Sequence, residues 1–175
     1  MKIDNKYFPA FMAIMALVSA LIIVYSSFSY KKTEQKRFIK SIVENDSLTT
    51  HSLNYILNDD SVSVSDFEGE YVVLVFFSSW SEKSNFMLQE IYTLADETGS
   101  IEVIAAVVKD ATDSINFDEL PPTFNYVDGV SLYNDLKVPG IPTYVMFDKK
   151  GKYVFAHTGY QEGSGYELLR EHLDD

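Results

Sequence analysis

Residues 71–77 read Tyr-Val-Val-Leu-Val-Phe-Phe, an unbroken run of apolar β-formers. A strand with one wet face alternates apolar and polar residues, so an uninterrupted run belongs to a strand covered on both sides. That segment alone demands a layered fold, with helices on either face of a sheet. The neighbouring sequence supplies the layers. Residues 82–98 carry Met87, Ile91 and Leu94 or Ala95 at helical spacing, and Gly99 stops the pattern. Residues 101–108 are a second buried strand, which completes a βαβ unit. Upstream, residues 61–70 predict a short strand and a turn at Gly69. Downstream, an acidic irregular stretch over 109–122 ends in Pro121-Pro122. A short strand and short helix follow. Two more strands then meet at the Asp148-Lys149-Lys150-Gly151 turn, and residues 166–173 predict a closing amphipathic helix. The expected domain, residues 61–175, is one mixed α/β sheet with helices on both faces.

The N-terminal part is of another kind. Phe8 to Phe28 contains 21 residues without a charge. A helix of that length rises about 30 Å, the thickness of a bilayer's hydrocarbon core. Tyr7, Tyr25 and Tyr30 lie near its ends, where amphipathic aromatics prefer the interface. Two readings compete: an uncleaved anchor within residues 1–30, which the length favours, and a cleaved signal peptide with Ser27-Phe28-Ser29 as its small-x-small site. Residues 31–60 read as a polar spacer with docking pieces around Phe38, Ile42 and Val43 and around Leu53, Ile56 and Leu57. Lys2 and Lys6 precede the apolar run, while Lys31, Lys32, Lys36, Arg37 and Lys40 follow it. A count of these cations puts the domain in the cytoplasm, although a long folded domain is translocated largely regardless of charge.

Charge and cysteine usage narrow the chemistry. Residues 1–40 carry seven Lys/Arg against Asp4 and Glu34, and residues 41–175 carry the remaining seven against 24 acids. A domain that acidic repels phosphate backbones, so nucleic acid is not an expected partner. The chain has no cysteine. Structural disulfides, cysteine-ligated zinc, iron–sulfur clusters and thiol catalysis are thereby excluded. His51, His157 and His172 fall at no ligand-like spacing, so no metal site and no cofactor are expected.

Four passages carry a resemblance: residues 62–84 (VSVSDFEGEYVVLVFFSSWSEKS), residues 101–108 (IEVIAAVV), residues 138–148 (VPGIPTYVMFD) and residues 149–160 (KKGKYVFAHTGY). Together they resemble the thioredoxin-like fold, and within it the membrane-tethered TlpA/ResA type of thiol–disulfide oxidoreductase. The resemblance implies an extracytoplasmic domain. It implies that Ser81 and Ser84 stand where such proteins have the two cysteines of a W-C-x-x-C site. It also implies that Ile141-Pro142 is a cis-proline loop flanking a peptide groove, with Trp80 and Ser81 beside it.

Thiol–disulfide exchange needs an attacking thiolate and a resolving thiol, and serine supplies neither. Ser81 and Ser84 are therefore degenerate redox positions, and no catalytic residue is assigned. A hydrolytic Ser81 would need a positioned base, yet no motif places a histidine beside it. Serine is also a preferred helix N-cap, and both Ser81 and the pair Ser79/Glu82 offer that role. The leading expectation is a non-catalytic, membrane-anchored thioredoxin-like module that binds a protein or peptide at Trp80, Ser81, Ile141 and Pro142. The alternative is an oxidoreductase lineage whose cysteines have been replaced, naturally or by substitution. A third reading has the acidic stretch 109–122 serving a larger complex.

Overall fold

The computed structural model describes residues 8–45, 47–111 and 114–173. The expectations for Lys2, Lys6 and Tyr7 lie outside the described residues. Eleven helices and strands are named here in chain order. They are α1 (Phe8–Val43), β1 (Leu53–Asn54), β2 (Ser61–Val62), β3 (Tyr71–Phe77), α2 (Glu82–Thr98), β4 (Ile101–Val107), β5 (Asn125–Asp128), α3 (Val130–Asp135), β6 (Thr143–Phe147), β7 (Tyr153–Thr158) and α4 (Glu167–Arg170).

β3 is the centre of a five-stranded sheet ordered β5-β4-β3-β6-β7. It pairs in parallel with β4, Tyr71 opposite Ile101 and Phe77 opposite Val107. It pairs antiparallel with β6, Val72 opposite Phe147 and Phe76 opposite Thr143. All seven of its residues are buried. Val72, Leu74 and Phe76 point into one apolar layer with Leu132, Leu136, Val145 and Phe147. Val73, Val75 and Phe77 point into the other, against Met87, Leu88, Ile91 and Leu94 of α2 and Leu169 of α4. The period-two pleat thus feeds two cores from one apolar run.

α2 occupies the span its periodicity indicates. It ends where Gly99 adopts φ 61° and returns its N–H to Ala95 at 2.9 Å. That left-handed cap costs little without a Cβ. Two expected elements are shorter. The strand before Gly69 is only Ser61–Val62, because the chain then turns through a 3-10 helix in which the Asp66 carboxylate accepts the Ser63 N–H at 2.7 Å. The closing helix is only Glu167–Arg170, a length at which helices are marginal, with Leu169 its single buried residue.

α1 does not stop where the apolar run stops. It continues for 36 residues to Val43 as one helix, and its 18-residue apolar window is fully exposed and apolar enough to cross a membrane. Its last turns belong to the domain: Phe38 and Ile42 sit in the same apolar layer as Val72, Leu74 and Phe76. The Ser41 hydroxyl donates to the Leu136 carbonyl at 2.7 Å. Leu48 and Leu53 extend that layer, and β1 pairs with β2 while Tyr55 bridges Val127 of β5. Residues 31–43 are therefore helix, and Phe38 and Ile42 with Leu48 and Leu53 cover one face of the sheet. The aromatic ring of Phe38 is what turns a spacer composition into a docked layer. Burial of this kind makes the fold depend on it, since truncating a buried Phe costs about 3–5 kcal/mol. A fragment of residues 31–175 is expected to unfold in urea as a single cooperative transition. Phe38→Ala should lower its midpoint by the equivalent of about 3–5 kcal/mol. A fragment of residues 61–175, which lacks Phe38, Ile42, Leu48 and Leu53, is expected to bind a hydrophobic dye and aggregate.

Candidate functional site

The carboxyl ends of β3 and β4 and the amino end of β6 meet at one end of the sheet, the usual place for a site in such folds. Ser81 begins α2. Its φ and ψ are extended, −89° and 109°, and its hydroxyl accepts the Ser84 N–H at 3.4 Å. Ser81 is thus the helix cap. The Ser79/Glu82 alternative fails because the Ser79 N–H goes instead to the Asp110 carboxylate at 2.6 Å. Ser84 is fully buried one turn into α2, where its hydroxyl receives the Ser78 N–H at 3.5 Å.

The loop between β3 and α2 is pinned from several sides. The Ser78 hydroxyl donates to the Val108 carbonyl. The Asn85 amide donates to the Ser79 carbonyl at 3.1 Å. The Trp80 indole donates to the Lys109 carbonyl at 3.3 Å, which leaves the ring itself 69% exposed. Lys109 reaches this position with φ 60° and lays its ammonium over the Tyr133 ring, 5.2 Å from the centroid.

The peptide bond Ile141-Pro142 is cis. Thr143, the next residue, is opposite Phe76 in the register, so Pro142 lies beside the end of β3 from which Trp80 and Ser81 continue. The Pro142 carbonyl accepts the Gly159 N–H at 2.8 Å. The N–H and carbonyl of Ile141 have no hydrogen-bond partner among the described residues. The structure therefore brings all four expected residues, Trp80, Ser81, Ile141 and Pro142, to one end of the sheet, with a free stretch of backbone among them.

Several residues there escaped the sequence reading. Phe86, on α2, is half exposed and packs on Tyr160, ring centroids 5.7 Å apart. The loop carrying Tyr160 is clasped by Glu90, whose carboxylate accepts from the Tyr160 hydroxyl at 2.8 Å, Gly163 N at 2.9 Å and Gly165 N at 2.7 Å. The bond to Glu90 pushes the Tyr160 phenol up to about 12. Gly165 comes so close that a Cβ would meet the Met87 carbonyl at 2.8 Å. Glu90 falls four residues after Phe86, which places the two on one helix face, but nothing in the sequence marks the loop they meet. Asp110 follows a buried parallel strand directly, and that position was the available signal for it.

Catalytic groups are another matter. The Ser81 hydroxyl is engaged by the helix N–H, and no base bonds to it among the described residues. His157 is in β7 beside the Tyr144 ring, 5.8 Å between centroids, and His172 stacks on Phe155 at 4.2 Å. Neither bonds to Ser81. Among the described residues no group of three His, Cys, Asp or Glu side chains could hold a metal. A cleft of about 340 Å³ beside the loop is lined by Asn54, Tyr55, Val107, Asp110, Asp128 and Val130.

A five-stranded mixed sheet with α2 rising from the end of the central strand and a cis-proline at its flank is the thioredoxin-like fold. No family model matches the sequence, and no curated protein does. The solved structures it resembles include DsbF of Mycobacterium tuberculosis in mixed oxidized and reduced forms, 16% identical, TM-score 0.60, covering 71% of this chain and 93% of that one. Another is the exposed lipoprotein thioredoxin Etrx1 of Streptococcus pneumoniae, 21% identical, TM-score 0.54, covering 70% of this chain and 98% of that one. A third is a thioredoxin-like protein of Aeropyrum pernix, 18% identical, TM-score 0.59, covering 83% of this chain and 99% of that one. At such identities the likeness is one of fold. This chain keeps the scaffold and has no cysteine.

His157 gives the domain a pH dependence of known sign. Burial lowers its pKa, a hydrogen bond with the Gly159 backbone opposes the shift, and its buried Nε2 has no partner among the described residues. The neutral ring is favoured in the folded state, so as pH falls through the ordinary histidine value of 6.5 the unfolded chain takes up the proton first. Stability should fall as pH drops from neutrality through that value. Thermal melts of the wild type and of His157→Gln across this window are expected to show the steeper loss in the wild type.

Proposed function

We propose that the chain is a membrane-anchored thioredoxin-like module without redox chemistry, which holds an extended polypeptide against the Ile141 backbone. Residues 8–28 supply the anchor, and the domain lies outside the cytoplasm. The unpaired N–H and carbonyl of Ile141, beside the exposed Trp80 ring, carry this reading. Unpaired backbone N–H and carbonyl groups can take an extended peptide by strand-like pairing, while an aromatic platform adds contact area at low entropic cost. The TlpA/ResA resemblance supports the extracytoplasmic side, as does the likeness to an exposed lipoprotein thioredoxin. An adaptor or a chaperone-like holder needs no more chemistry than this.

The test is selection of a random peptide library on the full chain in nanodiscs. Selected peptides are expected to lose binding about tenfold with Trp80→Ala, a loss worth about 1.4 kcal/mol, and at least as much with Ile141→Asp. Peptides that bind both variants as tightly as the wild type would remove the groove from the account.

One observation favours the oxidoreductase lineage as a second reading. Ser81 is partly exposed at a helix N-terminus and Ser84 is fully buried one turn behind it, the disposition an attacking and a resolving thiol require. On that reading the double variant Ser81→Cys/Ser84→Cys reduces insulin with dithiothreitol well above the rate of Ser81→Cys alone. A double variant no faster than the single one ends it.

A further inference from the structure

The direction of α1 assigns the groove a position relative to the bilayer. β6 runs from Thr143 at the groove end of the sheet to Phe147 at the other end, since Thr143 is opposite Phe76 and Phe147 opposite Val72. The last turn of α1 reaches that far end: Ile42 and Val43 border a cavity with Phe147, Gly151 and Tyr153. Phe38, one turn earlier, is buried in the layer that Phe76 of the groove end also lines, and a helix packed along the strands in this sense points its N-terminal turns toward the groove end. The apolar stretch of α1 therefore leaves the domain on the side where Trp80, Ser81, Ile141 and Pro142 lie.

The distance is short and has no hinge. α1 is a single helix from Phe8 to Val43, and Phe38 is its first buried residue. Phe28, the last residue of the uncharged run, is separated from Phe38 by ten residues, about 15 Å of helix. Glu34, the first partly buried residue of α1, stands only about 9 Å beyond Phe28. The headgroup layer on one side of a bilayer occupies about 5–8 Å of that height.

The surface at this end fits such a neighbour. Outside the apolar stretch of α1 and Tyr30, the exposed large hydrophobic residues among the described residues are Val43, Leu57, Trp80, Phe86 and Val130. Trp80, Phe86 and Val130 belong to the groove end, Val130 because it opens α3 just past the carboxyl end of β5. Lys31, Lys32 and Lys36 are exposed on the connecting turns and have no ion-pair partner among the described residues. Lys31 and Lys32 stand about 4.5 and 6 Å of helix beyond Phe28, within the depth of that layer. The carboxylates of Asp110 and Asp128 at this end are turned onto the backbone N–H groups of Ser79 and Val130.

We infer that the groove end of the domain faces the headgroup layer of the bilayer that α1 crosses, with Trp80 in contact with lipid. The inference rests on the anchor reading of residues 8–28. It does not depend on peptide binding. Amphipathic tryptophan prefers the membrane interface, and lysines next to a span are drawn to anionic headgroups.

Trp80 is the only tryptophan in the chain, so its fluorescence reports this contact directly. The full chain would be reconstituted in phosphatidylcholine/phosphatidylglycerol vesicles containing lipids spin-labelled either at the headgroup or deep in the acyl chain. Resistance to carbonate extraction establishes insertion. The inserted chain is expected to show several-fold stronger quenching of Trp80 by the headgroup label than by the deep label. A variant with a flexible Gly-Ser segment inserted after Thr33, which uncouples the domain from the span, should lose most of that quenching. Equal quenching with and without the insertion, or none by either lipid, overturns this inference and leaves the anchor standing. A chain that carbonate extracts overturns the anchor and this inference together.

Discussion

β3 bears on both apolar layers of the domain, and neither layer forms without it. Its side chains alternate between two cores, so α2 and α4 pack on one side while α3 and the end of α1 pack on the other. Seven buried residues in a row leave no tolerance for a register slip, because a shift by one residue would exchange the two sets of side chains. The parallel partner β4 and the antiparallel partner β6 fix that register from both edges. The same strand delivers the chain to Ser78, where the site begins.

The second structural dependence is the docking of α1. In composition, residues 31–45 read as a polar spacer with one docking piece around Phe38, Ile42 and Val43. In the fold they close the sheet face that Val72, Leu74 and Phe76 present, through Phe38 and Ile42. An apolar stretch long enough for a bilayer and a layer of the folded core are thus one uninterrupted helix. Such an arrangement trades freedom of the domain for orientation: no soft segment lies between the end of the apolar run and the first buried ring.

At the site, serine meets the needs of the strand-to-helix junction by itself. A strand-to-helix junction needs an acceptor for the first helix amides, and the Ser81 hydroxyl provides one without any sulfur. Asp110, Asn85 and the indole of Trp80 then hold the loop in place. The scaffold that in a redox protein would position thiols here positions an exposed aromatic ring beside unpaired backbone.

Much of this was legible in the residues. The run at 71–77, the α2 stripe with Gly99, the turn at 148–151 and the apolar length of 8–28 all rest on local patterns, which are set by periodicity and backbone preference. The absence of cysteine decides by itself that no dithiol chemistry occurs. The choice of Ser81 over Ser79 as cap needed the tertiary fold, because Asp110 competes for the Ser79 amide from a segment 31 residues away. The Glu90 clasp on the 160–165 loop is of the same kind, a contact between segments about 70 positions apart that no local pattern encodes. The helix through 31–43 was also decided by packing: its composition is mostly polar, and only the burial of Phe38 and Ile42 in the layer with β3 and β6 makes it part of the core. Sequence fixes what a segment prefers, and the fold decides which of those preferences meets a partner.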